Sequence, residues 1–152
     1  MQILNWNEDD SNIPIDDRKE IELILNSPGG DVYIGLILCS VIEKSNTPIK
    51  ITTLGTAASM AALILMSGAK HGRRYAYEFS NVLIHDGSIG MQGSTNKVRD
   101  HLKYQEEKDN QIKEFILRNT NISSEKYDEM SDREWWLTAK SAKEYGIIDV
   151  II

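Results

Sequence analysis

The chain has 152 residues, a formal net charge of −6 and a single cysteine, Cys39. This length suits one domain, and the 41% apolar and 26% charged residues are values of a globular protein rather than of a disordered one. Nucleic-acid binding is not expected, because phosphate contacts need clustered Lys and Arg and the chain has no basic block. A lone cysteine excludes an intramolecular disulfide and a multi-cysteine zinc site.

The sequence also argues against a membrane protein. Its first residues lack the basic segment and apolar stretch of a signal peptide. The longest nearly apolar run, residues 57–66, is about half of the roughly 20 residues that cross a bilayer. We therefore expect a cytoplasmic protein with no membrane partner.

Residues 1–20 are polar and predict a short, loose lead-in to a single domain of residues 21–152. Two strand-to-helix units open that domain. The strands are predicted from short runs of β-branched and other apolar residues that stop at Gly or Pro, and the helices from apolar residues spaced three and four positions apart. The predicted elements are a strand at 21–25, a helix from about residue 31 to 46, a strand at 49–54 and a buried helix at 60–66. The apolar face expected for the first helix consists of Ile34, Ile37, Leu38, Val41 and Ile42. Two such units in series indicate an α/β fold with a mainly parallel sheet.

The second half of the domain alternates between short strands and polar helices. Residues 86–93 hold three glycines and are not ordinary helix. The charge-rich helix that follows, residues 94–118, has few apolar residues, so it projects from the core or packs on another subunit. The remaining predicted elements are strands at 73–77 and 82–84, helices at 123–130 and 138–146, and a final strand at 147–152.

Ser59 lies where a predicted strand turns into the buried helix. A hydroxyl there is presented at the carboxyl edge of the sheet, beside free helical N–H groups and the positive end of the helix dipole. A serine nucleophile needs such donors, because its tetrahedral intermediate carries an oxyanion. The alternative is that Ser59 only caps the helix, which is the commoner use of a Ser at a helix start.

His85 and a glycine-containing loop follow two other strands. His85 comes directly after strand 82–84 and is a candidate general base, the alternative being a surface histidine. The loop 26–30, Asn-Ser-Pro-Gly-Gly, offers backbone donors or is a simple turn, and it matches neither phosphate-binding glycine motif. No HExxH motif or ligand-spaced cluster is present, so no metal is expected.

Five segments, in chain order, resemble the ClpP family, the proteolytic subunits of the Clp protease. They are ILNSPGG at 24–30, GTAASM at 55–60, GAK at 68–70, VLIH at 82–85 and AKEYGIID at 142–149. The resemblance extends from about residue 21 to residue 152. It implies a ClpP/crotonase-like α/β fold of stacked βαβ units with a mainly parallel sheet and a protruding handle helix, the handle region being about residues 87–118.

The resemblance also implies a catalytic site. Ser59 matches the nucleophile and His85 its base, and the backbone N–H groups of Gly30 and Met60 match the oxyanion hole. The triad acid of the family is usually Asp, and the matching position here is Glu134; Asp132, two residues earlier, is the alternative acid. Hydrolysis of this kind needs no cofactor.

The partners implied by the resemblance are a peptide or polypeptide substrate, further copies of the chain in stacked rings, and an ATPase unfoldase. The sequence departs from the family pattern in two further ways. Asp86-Gly87 replaces the usual Gln-Pro after the histidine, so we expect the charge of Asp86 to perturb His85, and only about 25 residues precede the glycine loop. The second departure leads us to expect a reduced N-terminal axial region, which weakens the expectation of an unfoldase. A catalytically weak or inactive ring subunit and a viral head-maturation protease of the same fold remain open alternatives.

Overall fold

The computed structural model describes residues 2–152, which form six helices and six strands. The helices are α1 (Gln2–Asp9), α2 (Val32–Lys44), α3 (Met60–Ser67), α4 (Thr95–Asn119), α5 (Ser124–Met130) and α6 (Ala139–Glu144). The strands are β1 (Ile21–Ser27), β2 (Ile49–Ala58), β3 (Arg74–Ala76), β4 (Asn81–Ile84), β5 (Trp135–Thr138) and β6 (Val150–Ile151).

The long strand β2 is the centre of the sheet. β1 pairs with it in parallel along one side, while β3 and β4 pair in parallel along the other, β3 beside residues 51–53 and β4 beside residues 56–58. β6 continues the parallel pairing beyond β3, and only β5 runs antiparallel, on the outer edge of β4. The predicted α/β fold with a mainly parallel sheet is confirmed.

Helix α3 is buried on nearly all sides, as its continuous apolar run predicts. Leu65 and Met66 are fully buried. Helix α2 packs beside it through a stripe formed by Gly35, Cys39 and Ile42. A Cβ on Gly35 would meet the side chain of Met60, so the two helices approach closely at this glycine.

The face predicted for α2 is therefore wrong in part. Ile34 and Ile37 are 70% and 56% exposed, whereas Ile42 is buried as expected. The periodicity alone does not reveal that the contact with α3 passes over Gly35, which turns Ile34 and Ile37 outward.

Two other elements differ from expectation. The polar lead-in contains α1, which Asn7 fastens to the turn after α2 by accepting the N–H groups of Asn46 and Thr47 at 2.8 and 3.1 Å. Residues 135–138 form β5, a strand that the sequence does not predict because its only pairing is with a distant segment. Trp135 is buried and Trp136 is half-exposed, as expected for a strand at the edge of the core.

Helix α4 has the low burial that its polar sequence predicts. Its buried residues are Phe115 and Ile116, close to its C-terminal end, and most side chains in its first half are exposed. The preceding glycine-rich segment, residues 86–93, has no regular secondary structure.

A buried ion pair joins β3 to the segment before β6. Arg74 is 6% exposed, and its Nη2 and Nε donate to the two carboxylate oxygens of Asp149 at 2.7 and 3.0 Å. Its Nη1 donates to the carbonyl of Asn119 at 2.9 Å, at the end of α4. Burial raises the pKa of the Asp149 carboxyl, but the hydrogen bonds and charge of Arg74 outweigh this, so that its pKa lies below the ordinary value.

We expect Asp149→Asn to lower the free energy of unfolding at pH 7 by about 3 kcal/mol, because Arg74 stays buried without a counter-charge. The stabilisation from a carboxyl with a lowered pKa is present above its unfolded pKa of about 4 and is lost as the pH falls through the lower folded value. Denaturant unfolding of both proteins should therefore show the difference shrinking below about pH 4.

Glu22→Gln is the matched control, since it removes a carboxylate from the more exposed pair with Lys50. This substitution should lower the free energy of unfolding by about 0.5 kcal/mol or less. Equal losses for the two variants would contradict the role given to the buried pair.

Candidate active site

A cavity of about 420 Å³ lies where the central strands of the sheet end. Its walls come from α3, α4, α5 and the loop after β4, and they include both Ser59 and His85. The two residues that the sequence singled out for chemistry, 26 positions apart, thus face one space. Apolar side chains such as Leu63 and Ile116 line its deeper part.

Ser59 occupies a strained position between β2 and α3. Its φ of 56° and ψ of −123° are unusual for a residue other than glycine. Its N–H donates to the carbonyl of Leu83 at 2.9 Å, which fastens the junction to β4. Its side chain makes no cap hydrogen bond, and Oγ has no hydrogen-bond partner among residues 2–152. The alternative role as a helix cap is not supported.

His85 directly follows β4 and is half-buried. The parallel pairing of Ala58 with Leu83 brings the end of β2 beside the end of β4, and so brings Ser59 close to His85. The side-chain hydrogen bonds around the site include those of Asp86 with residues 131–132 and of Glu134 with Trp136, and none within residues 2–152 joins Ser59 to His85.

The glycine loop after β1 lies directly against the Ser59 junction. Gly29 has a φ of +101°, and a Cβ on it would stand 2.7 Å from the carbonyl oxygen of Ala58 and 2.8 Å from Cβ of Ser59. Around Gly30 there is open space. Among residues 2–152, the N–H groups of Gly30 and Met60 donate to no protein acceptor. Both are free to bind a developing oxyanion beside Ser59.

The two candidate acids occupy different places. Asp132 lines the cavity with Ser59 and His85, and it lies in a turn with a φ of +59°. Glu134 is exposed, does not line the cavity and accepts a hydrogen bond from Nε1 of Trp136 at 3.3 Å. In the antiparallel register of β4 and β5, Ile84 pairs with Trp135, so one further step sets Glu134 opposite His85.

Asp86, noted in the sequence for its charge next to His85, makes a contact that the sequence did not predict. Its Oδ2 accepts the backbone N–H of Asp132 at 2.7 Å and the hydroxyl of Ser131 at 3.1 Å. The contact joins residues 45 and 46 positions apart. Its only sequence signal is the Asp86-Gly87 pair that departs from the family pattern.

The charged side chains of the cavity wall are mostly acidic. The pKa of Tyr127 is raised to about 12 by burial and by the charges of Asp86, Asp109 and Asp128. The single cation of the wall, Lys113, donates to Asp128 at 2.6 Å. Tyr127 therefore stays protonated at neutral pH.

Within residues 2–152, no three or more His, Cys, Asp or Glu side chains gather where they could hold a metal ion. No helix in that range has both the length and the apolar character needed to cross a bilayer.

Fold and cavity together define a class: α/β proteins with a serine at a strained strand-to-helix junction, a histidine at the end of the neighbouring strand and a glycine loop beside them. The sequence model of the Clp protease family matches residues 14–152. The chain belongs to the Clp protease family.

Curated relatives agree with this assignment. An ATP-dependent Clp protease proteolytic subunit of Bacteroides fragilis is 35% identical over 138 residues, which cover 91% of this chain and 66% of the relative. The subunit of the same description from Bacteroides thetaiotaomicron is 34% identical over 138 residues, covering 91% and 62%. The chain thus spans a little under two thirds of the length of these relatives.

The contact between the glycine loop and the Ser59 junction yields a matched pair of variants. Gly29→Ala should lower the free energy of unfolding by about 2–4 kcal/mol, because its Cβ meets backbone atoms and its φ disfavours a side chain. Gly30→Ala should change it by about 0.5 kcal/mol or less, since its Cβ meets nothing. Chemical denaturation measures both, and similar values for the two would contradict this packing.

Proposed function

We propose that the chain is a serine endopeptidase of the Clp class, which hydrolyses peptide bonds through an acyl-enzyme. The observation that carries the proposal is the strained, unpartnered Ser59 facing the same cavity as His85, beside two free backbone donors. Strain of this kind persists at functional positions because the surrounding structure holds it. A serine that only caps a helix needs no such backbone.

In the proposed reaction, Oγ of Ser59 attacks the carbonyl carbon of the substrate and His85 takes its proton. The carbonyl oxygen becomes an oxyanion, which the N–H groups of Gly30 and Met60 bind. His85 then gives the proton to the leaving amine as the C–N bond breaks. Water, activated by His85, hydrolyses the resulting ester and restores the serine.

The reaction requires a hydrogen bond between Ser59 and His85 that the structure without substrate does not contain. Catalytic hydrogen bonds are often long in structures without substrate and tighten in the complex. The shared cavity leaves room for the side-chain rotation that the proposal requires.

We propose Glu134 as the acid that orients His85, with Asp132 as the alternative. Glu134 is supported by the β4–β5 register, whose last pair is Ile84 with Trp135, because one further step of that register would set Glu134 opposite His85. Its extra methylene relative to Asp lets the carboxylate reach further along this edge. Asp132 is supported by its place in the cavity wall.

The proposal also covers the assembly of the protein, its substrates, its partner and its location. The exposed apolar side chains of α2, such as Ile34 and Ile37, and the exposed first half of α4 support assembly with further copies of this chain in stacked rings. Substrates are peptides or polypeptides. The curated relatives are described as ATP-dependent, and an ATPase unfoldase as partner here is a proposal drawn from them. A cytoplasmic location stays a prediction.

The second candidate function is a catalytically inactive ring subunit. It is favoured by the missing Ser59–His85 hydrogen bond and by the contact of Glu134 with Trp136 instead of His85. Reactivity of Ser59 distinguishes the two.

A fluorophosphonate probe should label the assembled wild-type protein at Ser59, because the probe needs an activated hydroxyl and an oxyanion hole. Ser59→Ala should abolish labelling, and His85→Ala should slow it by at least about a thousandfold. Peptide mapping by mass spectrometry locates the label. A folded, assembled protein without label at Ser59 would favour the inactive subunit.

The acid is identified by comparing two substitutions that each remove one carboxylate charge. Glu134→Gln should lower kcat for a fluorogenic peptide by at least about a hundredfold, because the imidazolium loses its counter-charge. Asp132→Asn should leave kcat within about threefold if Glu134 is the acid. The opposite pattern would assign the role to Asp132.

A further inference from the structure

We propose that Asp86 is a positioning residue of this site: its carboxylate holds the turn before β5 against the loop after β4 and so fixes the segment that carries Glu134 relative to His85. The catalytic meaning of this inference rests on the proposed function. We call the contact of Asp86 with residues 131–132 the Asp86 tether.

The tether consists of two hydrogen bonds to one oxygen. Oδ2 of Asp86 accepts the backbone N–H of Asp132 at 2.7 Å and the hydroxyl of Ser131 at 3.1 Å. Hydrogen bonds to an ionised carboxylate are shorter and stronger than neutral ones. The carboxylate therefore binds the turn at a main-chain and a side-chain donor together.

The tether begins where the sheet ends. The last pair of the β4–β5 ladder is Ile84 with Trp135. Continued register would next pair His85 with Glu134, and then Asp86 with Arg133. The Asp86 side chain thus supplies a link between the two segments just past the base and the acid. His85 and Glu134 lie between the ladder on one side and the tether on the other.

The turn that Asp86 holds is strained, and only a small void separates it from the loop after β4. Asp132 and Ser59 are the residues other than glycine with positive φ in the part of the chain described. The void between the turn and the loop, bounded by His85, Ser131 and Tyr127, is only about 10 Å³. Such a volume holds at most about one water molecule. Loss of the tether would allow the turn to relax and would move Glu134 with it.

Three variants separate the hydrogen bond from the charge. Asp86→Ala removes the acceptor, and Asp86→Asn keeps an acceptor oxygen without the charge. Glu129→Ala is the control, since it removes a carboxylate of α5 that accepts from Lys126 and does not line the cavity. We expect Asp86→Ala to lower kcat by up to about a hundredfold with KM nearly unchanged. The kcat of the two other variants should stay within about threefold of the wild-type value.

A double-mutant cycle tests whether Asp86 acts through the acid. If it does, Asp86→Ala combined with Glu134→Gln should be no slower than Glu134→Gln alone, because the placement of an absent carboxylate no longer matters. Losses that multiply would overturn the positioning role. If Asp86→Ala acted only by lowering the stability of the protein, its loss of kcat would also multiply with that of Glu134→Gln. A non-additive result therefore excludes a general loss of stability.

Hydrogen exchange provides a readout that does not need activity. The amide of Asp132 should be protected in wild type and in Asp86→Asn, and should exchange at least about tenfold faster in Asp86→Ala. Unchanged exchange would overturn the tether itself.

The outcomes also separate this inference from the proposed function. A wild-type protein that labels at Ser59, with Asp86→Ala equally active, overturns the positioning role and leaves the peptidase intact. A wild-type protein that neither labels nor cleaves overturns both.

Discussion

The pairing of the central strand β2 with β1 and β4 is the constraint on which the candidate site depends. Because all three strands are parallel, their carboxyl ends meet at one edge, and those ends carry the glycine loop, Ser59 and His85. A shift of the β2–β4 register by one residue would turn successive side chains to the opposite face of the sheet. Ser59 and His85 share a cavity only in the register that the buried side chains of these strands maintain.

The same pairing holds the strained backbone of Ser59, the proposed nucleophile, in place. A residue held at positive φ costs about 1–3 kcal/mol. The helix that follows Ser59 buries Leu63, Leu65 and Met66, and each such side chain contributes about 1.5–3 kcal/mol relative to exposure. Burial of α3 therefore outweighs the strain at its first turn. The apolar run of residues 60–66 thus has a role in the site as well as in the core, because it anchors the junction that presents the hydroxyl.

Local patterns allowed the strands, the buried helix and the serine, histidine and glycine loop to be predicted, since each depends on neighbouring residues. The failures depend on contacts between distant residues. The exposed Ile34 follows from the close approach of α2 to α3 at Gly35, and β5 exists only through its pairing with β4. Helix α1 is fastened by Asn7 to a turn about 40 residues away. The roles of the site residues were inferred from the family resemblance. Neither the local patterns nor the resemblance predicted the contact of Asp86 with residues 131–132.

The site thus has two parts that are held in different ways. Main-chain hydrogen bonds within a buried sheet position Ser59, His85 and the glycine loop, so a change there disturbs the core. The candidate acids lie on an exposed turn, which is held by the short edge strand β5 and by one carboxylate. Both departures from the family pattern near the site, Glu134 for Asp and Asp86-Gly87 for Gln-Pro, fall in this second part. Because the turn is exposed and lies outside the buried core, a change of acid and a change in what holds it are structurally compatible with one fold.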